Sequence, residues 1–480
     1  MRYSLLIRNG TLIDGTRAPR RRADIAISDG RIASVGSLEN LKADVEIDAS
    51  GKIVAPGFID AHTHDDRLML SAPDMAPKVS QGVTTVVAGN CGVSLAPAPN
   101  GMPRPVTPPI DLMDAEGTWF RFKSFKAYVQ ALKDAPPATN CALLVGHSML
   151  RVQTMDNLDR PATSAEVSRM KQMVEEALAA GAIGLSTGLY YEPAIAAPTE
   201  EVIEVSRPLA KRNGIYCTHM RDEGDKVIDS LEETFRVGRE LGVPVVVSHH
   251  KVVGTENRGR SAETLPLIER AMKSQKIGLD CYPYCASSTI LTASRIGVAS
   301  KVLVTWSKPH PEYAGMELSQ IASRLGLSLT DTVQTLLPAG AIYFSMDEDD
   351  VQRILAFEHT MIGSDGLPHD AAPHPRLWGT FARVLGHYSR GLHLFPLETA
   401  IYKMTGLTAK TFGLADRGVL KEGFAADIVV FGENEVEDGA TFQKPIQAAK
   451  GIETVIVNGE AVWHGGKPTG ARPGRVLARS

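Results

Sequence analysis

The chain has 480 residues, 43% of them hydrophobic and 22% charged, which at roughly 150 residues per domain allows about three domains with substantial cores. Its 51 basic and 55 acidic residues leave a net charge of −4. No basic field therefore favours nucleic acid or an anionic lipid surface, and no apolar run reaches the ~18 residues of a membrane span. The N-terminal stretch runs through Leu5-Leu6-Ile7 to Asn9-Gly10 and reads as a strand and turn, not a signal peptide. Ala23–Ile27 before Asp29-Gly30, and Ile32–Val35 before Gly36, continue as antiparallel hairpins.

From residue 57 the rhythm changes. Eight short apolar runs recur, most followed by a helical stretch: Gly57–Asp60, Gly82–Val87, Cys141–Val145, Ala182–Leu185, Gly214–Cys217, Val243–Val247, Ile277–Asp280 and Thr360–Gly363. The helix after the third run is the clearest, with Ser164 as its expected N-cap and a buried stripe at Met170, Met173, Val174, Ala177 and Leu178. Eight buried strands alternating with helices predict an α/β fold, a (β/α)8 TIM barrel, over residues 57–410. The seventh and eighth runs are much further apart than the others. Residues 287–345 are therefore expected to form an inserted subdomain beside the barrel mouth. Hairpin texture returns in Asp427–Phe431, Val455–Val457 with Asn458-Gly459, and Ala461–Trp463. Residues 1–56 and 411–480 together predict one small β-sandwich.

A barrel enzyme carries its chemistry at the C-terminal ends of its strands. After the first run come His62 and His64, two residues apart, which in extended chain project to one side and can share a metal ion. Cys91 follows the second run, His219 the fifth, His249 and His250 the sixth, and Asp365 the eighth. Each alone is explicable as packing or capping. Together, thiolate and imidazole at four strand ends with a carboxylate at a fifth are a ligand set suited to zinc. His249 and His250 alternate along a strand, so only one of them faces the site. Cys141, Cys217, Cys281 and Cys285 read as packing residues, whereas His147 and His369 lie near enough to strand ends to reach a substrate. An odd number of cysteines excludes a fully paired disulfide scaffold and points to a reducing compartment, the cytoplasm.

The pattern resembles the amidohydrolase superfamily in Ala55–His64, the histidines after the fifth and sixth runs, Asp365, and Gly418–Gly423 leading into Ala426-Asp427. Within it the chain looks most like the N-acyl-D-amino-acid deacylases, or D-aminoacylases. Gly89–Gly92, Gly184–Pro193, Thr218–Glu223, Ser248–Lys251, Asp280–Tyr284 and Gly363–His369 carry that likeness. The resemblance implies one tightly held zinc on Cys91, His219 and His249, the last favoured over His250. It implies a second, weaker position on His62, His64 and Asp365, and Asp365 as general base and acid. It also implies Tyr191, Lys251, Tyr282 and Arg376 around the substrate, a small N-acyl-D-amino acid. Arg376 is expected to clamp the α-carboxylate.

Arg295, in a stretch otherwise without charge, is a side-chain selector favouring N-acyl-D-glutamate before N-acyl-D-aspartate, or a surface arginine, or an arginine that members acting on neutral substrates also carry. Two other readings are a cyclic-amide hydrolase and a non-enzymatic scaffold. The fourth run ends in Ser186–Glu192 with no lysine to bridge two metals, which argues against the first. Against the second, Cys91, His219, His249 and Asp365 are all present.

Overall fold

The computed structural model describes residues 3–480. Eight parallel strands form its central sheet: β1 (Phe58–Asp60), β2 (Val83–Ala88), β3 (Asn140–Gly146), β4 (Gly184–Gly188), β5 (Ile215–His219), β6 (Val245–Val247), β7 (Ile277–Cys281) and β8 (Thr360–Ile362). Each predicted run lies on one of them. They are buried almost throughout, which is why they read as near-continuous apolar runs. Each strand pairs with the next in sequence, and the sheet closes where the Ala61 N–H donates to the Ile362 carbonyl at 3.1 Å. Alternate residues point inward, including Ile59, Val87, Leu144, Ile215, Val246 and Met361, and pack in the barrel interior against Phe412 and Leu414. The other face of the strands packs on the surrounding helices.

The helix Ser164–Ala179 begins one residue earlier than the sequence suggests. Its N-cap is Thr163, whose hydroxyl accepts from the Glu166 N–H while the Glu166 carboxylate accepts from the Thr163 N–H. A capping box satisfies two orphan donors at once, which a Ser164 cap would not, because the reciprocal acid sits three residues after Thr163. No described helix is long and apolar enough to cross a membrane.

Between β7 and β8 a separate three-stranded antiparallel sheet forms from Ala286–Ile290, Val302–Ser307 and, in the middle, Ala339–Phe344. Helices Leu318–Leu325 and Leu329–Leu336 cover it, and Val304, Ile321, Val333 and Leu336 give it a core of its own.

The chain ends meet in one nine-stranded sheet, joined where Ile53–Pro56 pairs antiparallel with Ile428–Phe431. One face closes on a common core of Leu5, Ile25, Val54, Ile428 and Ile456. Asp29-Gly30 and Asn458-Gly459 make tight hairpin turns with positive φ at both positions. Asn9-Gly10 does not turn the chain: it is a bulge inside the strand Tyr3–Leu12, with Asn9 at φ 60° and a register shift between Ile7 and Gly10. The hairpin pattern also hides two parallel pairings of that strand, with Ala43–Asp48 and with Ile53–Pro56.

Candidate metal centre and active site

The strand ends bring the expected residues to one point at the barrel mouth. Cys91 Sγ lies 3.3 Å from His62 Nε2 and 3.3 Å from His249 Nε2. The rings of His219 and His249 are 4.4 Å apart. Two ligand triads result, His62–His64–Cys91 and Cys91–His219–His249, each with its donor atoms within 4.8 Å of one another. Cys91 belongs to both, so it stands between the two positions instead of serving only one. Asp365 Oδ1 completes the cluster, 3.2 Å from His64 Nε2 and 3.5 Å from His62 Nε2.

Three of these residues occupy the left-handed backbone region, Cys91 (φ 53°), His249 (φ 37°) and Asp365 (φ 49°), a conformation uncommon outside glycine. Local contacts hold them there. Ser186 on β4 accepts from the Gly92 N–H and donates to the Gly89 carbonyl, which clamps the turn carrying Cys91. Gly188 lets that turn approach, because a Cβ there would lie 2.2 Å from the Cys91 carbonyl oxygen. This accounts for Ser186 and Gly188 within Gly184–Gly188. The His249 N–H donates to Asp280 Oδ1 at 3.0 Å. His250 turns away, with Nε2 2.9 Å from the Thr264 hydroxyl. The choice between the adjacent histidines is thus made by a turn after β6 has ended, not by strand alternation.

Burial pushes the Cys91 thiol up, but the charges of His62 and His249 more than offset it and hold it well below the ordinary thiol range. Burial acts the same way on Asp365, and Arg376, His249, His64 and His62 together hold it well below the usual carboxylate range. His219 goes the other way: burial lowers it and keeps the imidazole neutral. Both its ring nitrogens are buried without a hydrogen-bond partner. A neutral imidazole with orphaned nitrogens beside a thiolate fits a zinc ion.

A narrow cavity opens over the cluster. Tyr191, Lys251, Tyr282 and Arg295 line it, and Val93, Leu112, Met113 and Leu367 form an apolar wall. The Tyr282 hydroxyl is buried without a partner. The Tyr191 hydroxyl lies 3.0 Å from that of Thr289 and ties the β4 loop to the inserted sheet. Arg376 stands elsewhere. It is fully buried behind Asp365, with Nη1 2.9 Å from Asp365 Oδ2 and its guanidinium 4.5 Å from the Tyr282 ring centre. His147 and His369 do not line the cavity; His147 packs beside Glu201, 3.5 Å from its carboxylate.

Two further acids join the site. Glu223 Oε1 is 2.6 Å from Lys251 Nζ and 3.1 Å from His249 Nδ1. Asp280 Oδ1 is 3.5 Å from His62 Nδ1. Acids that orient the far nitrogen of a ligating histidine are the usual support of a metal site. The available signals were an acid four residues after His219 and another closing the seventh run.

A closed parallel barrel with thiolate, imidazole and carboxylate gathered at its C-terminal mouth defines a barrel enzyme built around a metal centre. The amidohydrolase family model matches residues 45–278 and 332–463, and the chain belongs to that family. The unmatched stretch between them contains the first two strands of the inserted sheet. The chain is 57% identical to a D-aminoacylase, 50% to an N-acyl-D-aspartate deacylase and 46% to an N-acyl-D-glutamate deacylase, all from Alcaligenes xylosoxydans xylosoxydans. These alignments cover 98–100% of this chain and 94–98% of the relatives. A D-aminoacylase structure described as having a binuclear metal centre, with one-metal activation and second-metal attenuation, superposes with a TM-score of 0.97 at 58% identity. It covers 99% of this chain and all of the other. The N-acyl-D-glutamate deacylase of Bordetella bronchiseptica, complexed with zinc and a phosphonate inhibitor, superposes with a TM-score of 0.96 at 47% identity and the same coverage.

Proposed function

We propose that this enzyme removes the acyl group from N-acyl-D-amino acids with zinc at the Cys91–His219–His249 position, and that it favours N-acyl-D-glutamate. The observation that carries the reading is the cluster itself: Cys91 between two imidazole groups, with Asp365 facing the same cavity. Full-length likeness to a D-aminoacylase and to deacylases of N-acyl-D-aspartate and N-acyl-D-glutamate supports the substrate class.

Bound zinc supplies an acidified water and a Lewis acid for the amide carbonyl. The chain's own residues do the rest. His62 and His64, with Asp365, form the second, weaker position. Asp365 is kept ionised by Arg376 on Oδ2, which leaves Oδ1 toward the cavity to accept a proton and later return it to the departing nitrogen. Lys251 and the unpartnered Tyr282 hydroxyl receive the α-carboxylate. Arg376 adds positive charge from behind the Tyr282 ring, so its part in holding the carboxylate runs through that ring and Asp365. Tyr191 closes the cavity toward the inserted sheet. The apolar wall at Leu112 and Met113 takes the acyl group. With carbonyl, carboxylate and side chain each held, only one hand of the α-carbon fits.

Arg295 supports an acidic side chain, because it lines the cavity and no carboxylate among the described residues pairs with it directly, Glu223 acting only from a distance. The higher identity to the D-aminoacylase than to the glutamate deacylase favours a second reading, neutral side chains. Zinc-loaded protein assayed on N-acetyl-D- and L-glutamate, aspartate, methionine and leucine separates the two. Hydrolysis of D-substrates with glutamate first is expected. Hydrolysis confined to L-substrates or to hydantoins rejects the proposal.

A further inference from the structure

Lys78 is the most deeply buried lysine near the site, and no step above uses it. It sits on the short helix Ala76–Val79 between β1 and β2, with no solvent exposure. Its ammonium lies 2.9 Å from Asp60 Oδ2, 2.7 Å from the Ser364 hydroxyl and 3.3 Å from Asp65 Oδ2. Two of its N–H bonds donate, to Asp60 and to Ser364, while Asp65 is held as an ion-pair partner without a hydrogen bond. Asp60 Oδ1 in turn accepts from the Ser364 N–H at 2.8 Å and the His62 N–H at 3.3 Å.

These partners flank the ligands of one metal position only. Asp60 and Asp65 bracket His62 and His64, and Ser364 precedes Asp365. They also straddle the seam of the barrel. β1 and β8 share no ladder; among the described residues the Ala61–Ile362 and Asp365–His62 backbone hydrogen bonds, a bridge between Thr63 and Gly366, and the Asp60–Ser364 contact cross it. The second position must draw its histidines from one side of this thin seam and its carboxylate from the other. The first position draws Cys91, His219 and His249 from β2, β5 and β6, away from the seam.

Burying an ammonium and two carboxylates costs several kcal/mol per ion before pairing, and an apolar side chain of similar volume fills such a space at least as stably. What an apolar side chain does not do is hold Asp60, Asp65 and Ser364 to a single point. We infer that Lys78 is a positioning residue for the second metal position, fixing His62 and His64 on one side of the barrel seam against Asp365 on the other. The inference rests on the two-position reading of the cluster.

The test is a calorimetric titration of metal-free protein with Zn²⁺ alone, for wild type, Lys78→Met and Ser364→Ala. Wild type is expected to take up zinc in one tight and one weaker step. In Lys78→Met the tight step stays within about threefold while the weaker one loses roughly 10–100-fold in affinity, as loss of an outer-shell partner typically does. Ser364→Ala removes only the link to β8 and moves the same step by less. It carries the test if Lys78→Met does not fold. General loosening of the fold would weaken both steps together, so that result overturns the inference. No change in either step, or a wild type with a single step, overturns it too. A wild type that binds no zinc instead rejects the proposed function.

Discussion

Replacing Arg295 by alanine separates the acidic-substrate reading from its rival. The guanidinium is 7% exposed and stacks between Tyr190, 4.7 Å from the ring centre, and Tyr343, at 5.3 Å. No ion pair or side-chain hydrogen bond engages it among the described residues; the Glu223 carboxylate acts on it only across the cavity, which leaves its N–H groups free to meet a ligand's charge. A hydrogen bond to a charged group contributes about 1.5–3 kcal/mol. At about 1.4 kcal/mol per tenfold, Arg295→Ala should lower kcat/KM for N-acetyl-D-glutamate by roughly 10- to 150-fold from this contact alone. Loss of the two stacking contacts, worth about 0.5–1 kcal/mol each, falls on every substrate alike and sets an upper bound of roughly 5- to 25-fold on the loss for N-acetyl-D-methionine, with the glutamate loss larger by the factor above. Arg295→Met fills the space without the charge and controls for packing. The assay is kcat/KM on both substrates for the three proteins. Equal losses on both would show that the guanidinium does not face the side chain.

Asp365→Asn should keep the tight zinc, measured by metal analysis, while turnover falls about 10²- to 10⁴-fold, the usual contribution of a general base. Wild-type-like turnover would remove Asp365 from the proton path. Chelation should abolish activity, and one equivalent of Zn²⁺ should restore it. Cys91→Ala should bind zinc weakly at both positions, because its thiolate belongs to both triads; retention of either at wild-type affinity contradicts the sharing. Glu201 tests stability away from the reaction. Burial pushes its carboxyl up, but His147, the Ala162 N–H and Arg151 more than offset this and bring it to about 2. A depressed carboxyl stabilises the fold above its unfolded value near 4.3, and that contribution is lost as pH falls toward 2. Glu201→Gln should therefore cost about 3 kcal/mol at pH 7, read from urea midpoints, with the gap to wild type narrowing below about pH 4.5. A gap that widens with acid would reverse the assignment.

Much of this molecule could be read along the chain because its signals are local. A strand buried on both faces must be short and apolar, and the eight runs from Gly57 to Gly363 show it without any knowledge of their partners. Barrel chemistry collects at strand ends, so the residue types following those runs pointed to Cys91, His219 and Asp365, which the fold brings around one cavity. Asp29-Gly30 and Asn458-Gly459 marked hairpins because two positive φ angles in a row are a property of the dipeptide. Asn9-Gly10 carries the same signal and became a bulge, since the strand continues past it to pair with Ile53 and Val54.

Distances between strands were decided only by the tertiary structure. The sequence by itself determined that thiolate, imidazole and carboxylate end the barrel strands. It did not determine that Cys91 lies 3.3 Å from histidines on both sides, because that depends on turns clamped by Ser186 and Asp280 from other strands. Arg376, which looks along the chain like a carboxylate clamp at the mouth, is instead folded behind Asp365. Glu223, Asp280 and Lys78 are ordinary charged residues in one dimension. Only the fold sets Glu223 against His249 and Lys251, Asp280 against His62, and Lys78 between Asp60 and Asp65.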